Sequence, residues 1–203
     1  MIGLLITACD GSGSAAGSSS GAECNLSACG GDVVGTWNVV DTCFSNAAEA
    51  FSMTSDLPEC SDAIQGADAE VTGTYTFDAS GTVVSDTAIT IDIAVHLTMA
   101  CVVAQNPLGS SNAVAQVCPQ LEASYIENGF DEASCTLVAG ACDCDVVQRH
   151  PMSSASDTYQ VEGTELASPD GSRAAFCVDG DTLRIVEVDP DTGLEGVITL
   201  SRG

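Results

Sequence analysis

Residues 69–77 read AEVTGTYTF, and this alternation decides the fold class. Val71, Gly73, Tyr75 and Phe77 fall on one side of an extended chain, and Glu70, Thr72, Thr74 and Thr76 on the other. A period of two with one apolar face is the pattern of a half-buried strand. Asp78, Ala79, Ser80 and Gly81 then supply a turn, and residues 82–85 return as the hairpin partner.

The same grammar extends in both directions. Residues 88–103 alternate over a longer span: Ile89, Ile91, Ile93, Val95, Leu97 and Met99 face one way, Thr90, Asp92, Ala94, His96 and Thr98 the other. Upstream, residues 33–42 form a short β-branched stretch holding Trp37, the single tryptophan. Downstream, strands are expected near 158–162, 165–167, 173–178, 182–188 and 194–201. Pro and Gly punctuate them at 168–171, 179–181 and 189–193, fixing φ or permitting positive φ where turns require it. Closely spaced short strands with such turns predict an antiparallel up-and-down β-barrel or a sandwich. Two short helices are expected, at 47–53 and at 118–128, the second with Pro119 at its first helical position and Gly129 as its stop. The cysteines from Cys118 to Cys144 crowd together, which predicts a disulfide-stapled loop.

Composition narrows the function. Twenty-nine acidic residues face four basic ones, Arg149, Arg173, Arg184 and Arg202, with no lysine and a net charge of −25. Such a field repels phosphate backbones, so nucleic acid is not an expected partner. Eleven cysteines predict an oxidising compartment. The Gly-x-Ser-x-Gly run at Gly17 to Gly21 lies in a Gly/Ser/Ala tract and not in a strand-to-helix elbow, and no Gly-rich phosphate loop precedes a helix. His96 and Asp92 share a strand face but stand about 13 Å apart, too far to pair. Neither His96 nor His150 is read as catalytic, and no enzyme activity is expected. Cys142 and Cys144 have the spacing of a soft-metal chelate, but oxidation to disulfides is the better reading outside the cytosol. The paired aspartates at 143/145, 179/181 and 189/191 are read as turn residues, not as a calcium loop. No metal or cofactor is expected.

The N-terminus carries an address. Ile6, Thr7, Ala8 and Cys9 close a short apolar run, and a Gly/Ser/Ala tract fills residues 10–21. Together they resemble the lipobox of bacterial lipoproteins, which implies acylation of Cys9 and cleavage before it. Residues 1–8 are then a truncated signal segment whose basic part lies upstream of the assigned start. Residues 9–31 are a lipidated tether, and 32–203 the folded domain. Twelve tether residues reach about 20 Å. With Cys9 acylated, Cys24, Cys29, Cys43, Cys60, Cys101, Cys118, Cys135, Cys142, Cys144 and Cys177 remain for disulfides. Their pairing is open, although Cys24 and Cys29 are spaced to close a small loop at the domain entrance. The implied location is the bacterial cell envelope, on a periplasm-facing membrane or the outer membrane, with the lipid as anchor.

Gly35-Thr36-Trp37 opens the first strand and Leu200-Ser201-Arg202 ends the last. This pairing resembles the lipocalin pattern, and the segments at 73–77 and 176–183 are similar to bacterial lipocalin-like lipoproteins. The resemblance implies a barrel plugged by Trp37, with Arg202 stacked on the indole (Arg184 is the second choice), and a small apolar ligand inside. Tyr75, Phe77, Ile91, Ile93, Val95 and Phe176 are the expected inward and ligand-contacting residues. The alternative is a structural or protein-interaction lipoprotein with a filled barrel and no ligand.

Overall fold

The computed structural model describes residues 24–44, 58–105, 113–188 and 195–203. Cys9 and its leader, the tether at 10–21, the helix expected at 47–53 and the turn at 189–193 lie outside the described residues.

Ten strands make one antiparallel sheet: β1 (Gly35–Phe44), β2 (Ile64–Phe77), β3 (Thr82–Leu97), β4 (Glu132–Val138), β5 (Ala141–Thr158), β6 (Gln160–Glu162), β7 (Glu165–Ala167), β8 (Arg173–Asp179), β9 (Thr182–Val188) and β10 (Glu195–Arg202). Their order is β4-β5-β3-β2-β1-β10-β9-β8-β7-β6. The sheet is not closed, which corrects the expected barrel: β4 and β6 are its edges. The chain reaches β6 from β5 through Tyr159 alone, and the Tyr159 N–H donates to Gly81 O at 2.7 Å. With only three residues, β6 offers little backbone for closure. Two α-helices, α1 (Met99–Gln105) and α2 (Ala113–Glu127), and a short 3-10 helix (Pro58–Cys60) complete the regular structure among the described residues.

The chain divides into two compact units. The first holds described residues 24–44, 69–89, 150–188 and 195–203. Its inner cluster gathers Val33, Trp37, Val71, Tyr75, Phe77, Tyr159, Leu166, Ala174, Phe176, Leu183, Ile185, Ile198 and Leu200. On the opposite face Ala175, Cys177, Val186 and Val197 pack with Cys24 and Leu26. This explains why β8, β9 and β10 carry consecutive apolar residues, since strands covered on both faces lose their alternation. The outer cover is the segment that precedes β1. Cys29 N and Gly30 N both donate to Phe176 O at 3.1 Å, and Val178 N donates to Gly30 O at 2.8 Å. Cys24 is bonded to Cys43 and Cys29 to Cys177, so the small loop expected between Cys24 and Cys29 does not form. Residues 24–31 thus belong to the folded unit.

Trp37 is fully buried beside the register pair Trp37–Arg202 of β1 and β10. Its indole N–H donates to Val33 O at 2.7 Å, and the Arg202 guanidinium carbon sits 4.3 Å from the ring centroid. That distance is within cation–π range. Arg202 Nη1 also donates to Val34 O at 3.2 Å. Gly35 makes room for it: a Cβ there would lie 2.9 Å from Arg202 Nη1, and its φ of +140° is one that side chains rarely adopt. The Gly-x-Trp spacing therefore has a local cause in the passage of the guanidinium.

The second unit holds described residues 58–68, 90–105 and 113–149. Ile91, Ile93, Val95 and Leu97 of β3 are buried, as are Val102 of α1 and Val146 of β5. Three disulfides brace this smaller apolar supply: Cys60–Cys101, Cys118–Cys142 and Cys135–Cys144. The expected stapled loop is instead a helix and a hairpin, α2 followed by β4 and β5, with Cys135 directly opposite Cys144. The strand expected over 88–103 ends at Leu97, because Thr98 caps a helix there. Its side-chain oxygen accepts from Cys101 N at 3.2 Å and its carbonyl from Val102 N at 3.0 Å. Pro119 lies inside α2, not at its start, since the helix begins at Ala113. Pro119 costs one backbone bond there, and the neighbouring Cys118–Cys142 bridge holds the turn in place.

Candidate functional site

In the first unit, β2 and β3 bring Tyr75, Phe77, Val83 and Ser85 towards Leu166, Ala174 and Ile185 of β7, β8 and β9. Together with Tyr159 they enclose a cavity of about 350 Å³. Ala155, Ser156 and Asp157 of β5 also line it and are exposed, so they form a rim, and Ser168 and Ser172 add further hydroxyls. The volume falls within the range of small-molecule sites, which are mostly apolar with a few placed polar groups.

Strand geometry explains who faces inward. Val83 and Ser85 continue the odd-numbered face of β3, and Tyr75 and Phe77 the odd face of β2. Gly73 lets these two strands approach. Its φ is +128°, and a Cβ there would overlap the Asp86 carbonyl oxygen and stand 2.9 Å from Thr87 Cα. Phe77 stacks at 6.4 Å on Tyr75 and meets Tyr159 edge-on at 5.2 Å, giving the cavity an aromatic wall. Tyr159 is pinned at both ends: its N–H bonds Gly81 O, and its hydroxyl donates to Asp78 O at 2.9 Å. Burial, then the charges of Asp78 and Asp32, push the Tyr159 phenol above its ordinary range.

Ser85 is the one buried residue of polar type among the described residues, and it lines the apolar cavity. Its hydroxyl makes no hydrogen bond to another described residue, and no buried side-chain oxygen or nitrogen is sealed away without a partner.

A second depression, of about 370 Å³, shares Tyr159 and Ser168 with the first. Ser80, Thr158, Gln160, Glu162 and Arg173 give it a polar lining. Arg173 is held by Glu162 at 2.6 Å and Glu165 at 2.8 Å.

Of the expected contact residues, Tyr75 and Phe77 line the cavity. Phe176 is fully buried in the inner cluster of the same unit and is not among the lining residues. Ile91, Ile93 and Val95 are buried in the second unit. Val83, Ser85, Tyr159, Leu166, Ala174 and Ile185 were not singled out by sequence. The signal for Val83 and Ser85 was present, because they share the face of Ile89 and Ile91 on one uninterrupted strand.

His96 meets a carboxylate that its own strand does not supply: Nδ1 lies 2.5 Å from Asp143 Oδ1 of β5. Cys142 and Cys144 flank that aspartate, and both are disulfide-bonded. Among the described residues no group of three or more His, Cys, Asp or Glu side chains converges on a metal-sized point. No described helix is long and apolar enough to cross a membrane. Compared with known proteins, the chain matches no family model, and no curated protein or solved structure matches it.

Proposed function

We propose that this chain is a lipid-anchored binding protein of the bacterial cell envelope whose first unit holds a small apolar ligand. The observation that carries the reading is the cavity of about 350 Å³, walled by Tyr75, Phe77, Val83, Tyr159, Leu166, Ala174 and Ile185. Burying an apolar surface there yields about 25 cal/mol per Å², and the Ser85 hydroxyl orients one polar atom of the occupant. A lipocalin-like ancestry fits the Trp37–Arg202 stack and the meander of β6 to β10. Envelope residence fits ten cysteines joined as five disulfides, leaving Cys9 for acylation.

The test is native mass spectrometry of protein purified from membranes under mild conditions, with intact-mass measurement of the N-terminal peptide. The reading predicts a diacyl or triacyl mass on Cys9 and a co-purifying apolar small molecule released by organic solvent. An unmodified Cys9 in membrane-derived protein contradicts the anchor. A protein that neither arrives with an apolar molecule nor takes one up on titration contradicts the binding role.

A further inference from the structure

We propose that the cavity discriminates by charge, accepting neutral or cationic amphiphiles and rejecting carboxylates and other anions of the same chain length. The proposal rests on the ligand-binding reading above and adds the chemical class of the occupant. Asp157 stands on the rim of the apolar cavity, and Glu162 lines the neighbouring depression. The cation of that depression, Arg173, contacts two carboxylates, Glu162 and Glu165, so the group carries net negative charge.

Two turns beside these openings fix further carboxylates. Asp78 Oδ1 accepts from Ser80 N at 2.8 Å, Ser80 Oγ at 2.6 Å and Thr82 N at 3.0 Å. Asp170 Oδ1 accepts from Ser172 N at 2.9 Å and Ser172 Oγ at 2.7 Å. Hydrogen bonds of this kind favour the ionised form, and both carboxyls are held below their ordinary range. Asp78 acts on the hydroxyl of Tyr159, which walls both cavities.

An independent observation points to an occupant with a polar atom. Ser85, 94% buried by its 6% exposure, turns an unpartnered hydroxyl into the apolar space. The lining thus provides neutral hydroxyls, those of Ser85, Ser168 and Ser172 among them, and no cation. An anionic head at the rim meets the Asp157 carboxylate, which lines the opening, and salt screens such repulsion only beyond a Debye length of about 8 Å. A hydroxyl head meets only hydrogen-bonding groups, and an ammonium head meets attraction.

The experiment is calorimetric titration of the full chain with decanol, decanoate and decylammonium at pH 7 and low salt, repeated on Ala174→Phe, which fills the cavity, and on Asp157→Asn. We expect one-site binding of decanol and decylammonium, with decanoate at least tenfold weaker. The gap narrows at high salt and in Asp157→Asn, and Ala174→Phe loses all three. Decanoate binding as tightly as decanol overturns the charge selection while leaving the apolar site standing. Equal decylammonium binding by wild type and Ala174→Phe also overturns it, since adsorption to the acidic surface then explains the preference. If none of the three binds, the ligand-binding reading itself fails.

Discussion

Removing the bridge between Cys29 and Cys177 is the perturbation whose size follows most directly from the fold. The two cysteines are 148 residues apart, whereas Cys135 and Cys144 are separated by 9. In the chain-entropy treatment a cross-link closing the longer loop stabilises by about 5 kcal/mol at 25 °C, and one closing the shorter loop by about 2.6 kcal/mol. The other bridges lower the first figure. Cys24–Cys43, Cys60–Cys101 and Cys118–Cys142 cut the covalent path between Cys29 and Cys177 to roughly half, and each halving removes only about 0.6 kcal/mol. The expected loss for Cys29→Ala with Cys177→Ala is therefore about 4.5 kcal/mol, against about 2.6 kcal/mol for Cys135→Ala with Cys144→Ala. Alanine leaves no hydroxyl at Cys177, which is buried. The assay is urea unfolding of the oxidised variants, following Trp37 fluorescence for the first unit. The long-loop variant must lose more than the short-loop variant by well over 1 kcal/mol. Equal losses, or a larger loss for Cys135 and Cys144, refute the assignment of the Cys29–Cys177 bridge as the clamp that holds the N-terminal segment on β8.

Other consequences are more local. Arg202→Leu removes the cation–π stack on Trp37 and costs about 0.5–2 kcal/mol in thermal unfolding, with a shift of the Trp37 emission maximum. An unchanged melting temperature and spectrum contradict the stack. Gly73→Ala forces a side chain into a positive-φ position against the Asp86 backbone and costs at least about 2 kcal/mol in the urea midpoint. A neutral result contradicts the close approach of β2 and β3. Asp78 and Asp170 have lowered pKa values in the folded protein, the first mainly from the Ser80 side chain and the second from Ser172. Their contribution to stability is present above the ordinary carboxylate pKa of ~3.9 and is lost as pH falls through the lowered values. Melting curves recorded from neutral to acid should therefore show Ser80→Ala less stable than wild type at neutral pH, with the difference shrinking in acid. A difference that grows in acid reverses the argument. The phenol of Tyr159, raised by burial, gives the opposite sign: its contribution persists below ~10 and is lost as pH rises through the folded value.

Local chemistry made much of this fold readable, and long-range pairing hid the rest. The alternation of 69–77 and the turn chemistry between β6 and β10 are written within a few residues, and those strands appear where the pattern puts them. The second half of β5 is different. Residues 149–158 hold Arg149, His150, Pro151 and a run of small polar residues that are exposed, and no period-two signal marks them as a strand. They are extended because β3 pairs with them, a fact that lies far away in sequence. The His96–Asp143 contact is hidden for the same reason, since it depends on the approach of β3 to β5.

The cavity was half legible. Tyr75 and Phe77 follow from the face of β2, but Ile91, Ile93 and Val95 share a face with Ser85 without sharing its surroundings. Six residues of extended chain span about 20 Å, more than one small cavity covers, so a single strand face serves two apolar clusters. Tyr159 was unreadable because its place depends on the turn at 78–81, to which it bonds through backbone and hydroxyl alike.

The most direct test of the central claim is titration of the purified protein with phenylnaphthylamine, a neutral apolar fluorophore, alongside Ala174→Phe and Ser85→Leu as two independent ways to fill the cavity. The account predicts saturable one-site fluorescence enhancement in the wild type, lost in both variants while their melting temperatures stay near or above the wild-type value. No saturable enhancement in the wild type, or undiminished binding by both folded variants, contradicts it.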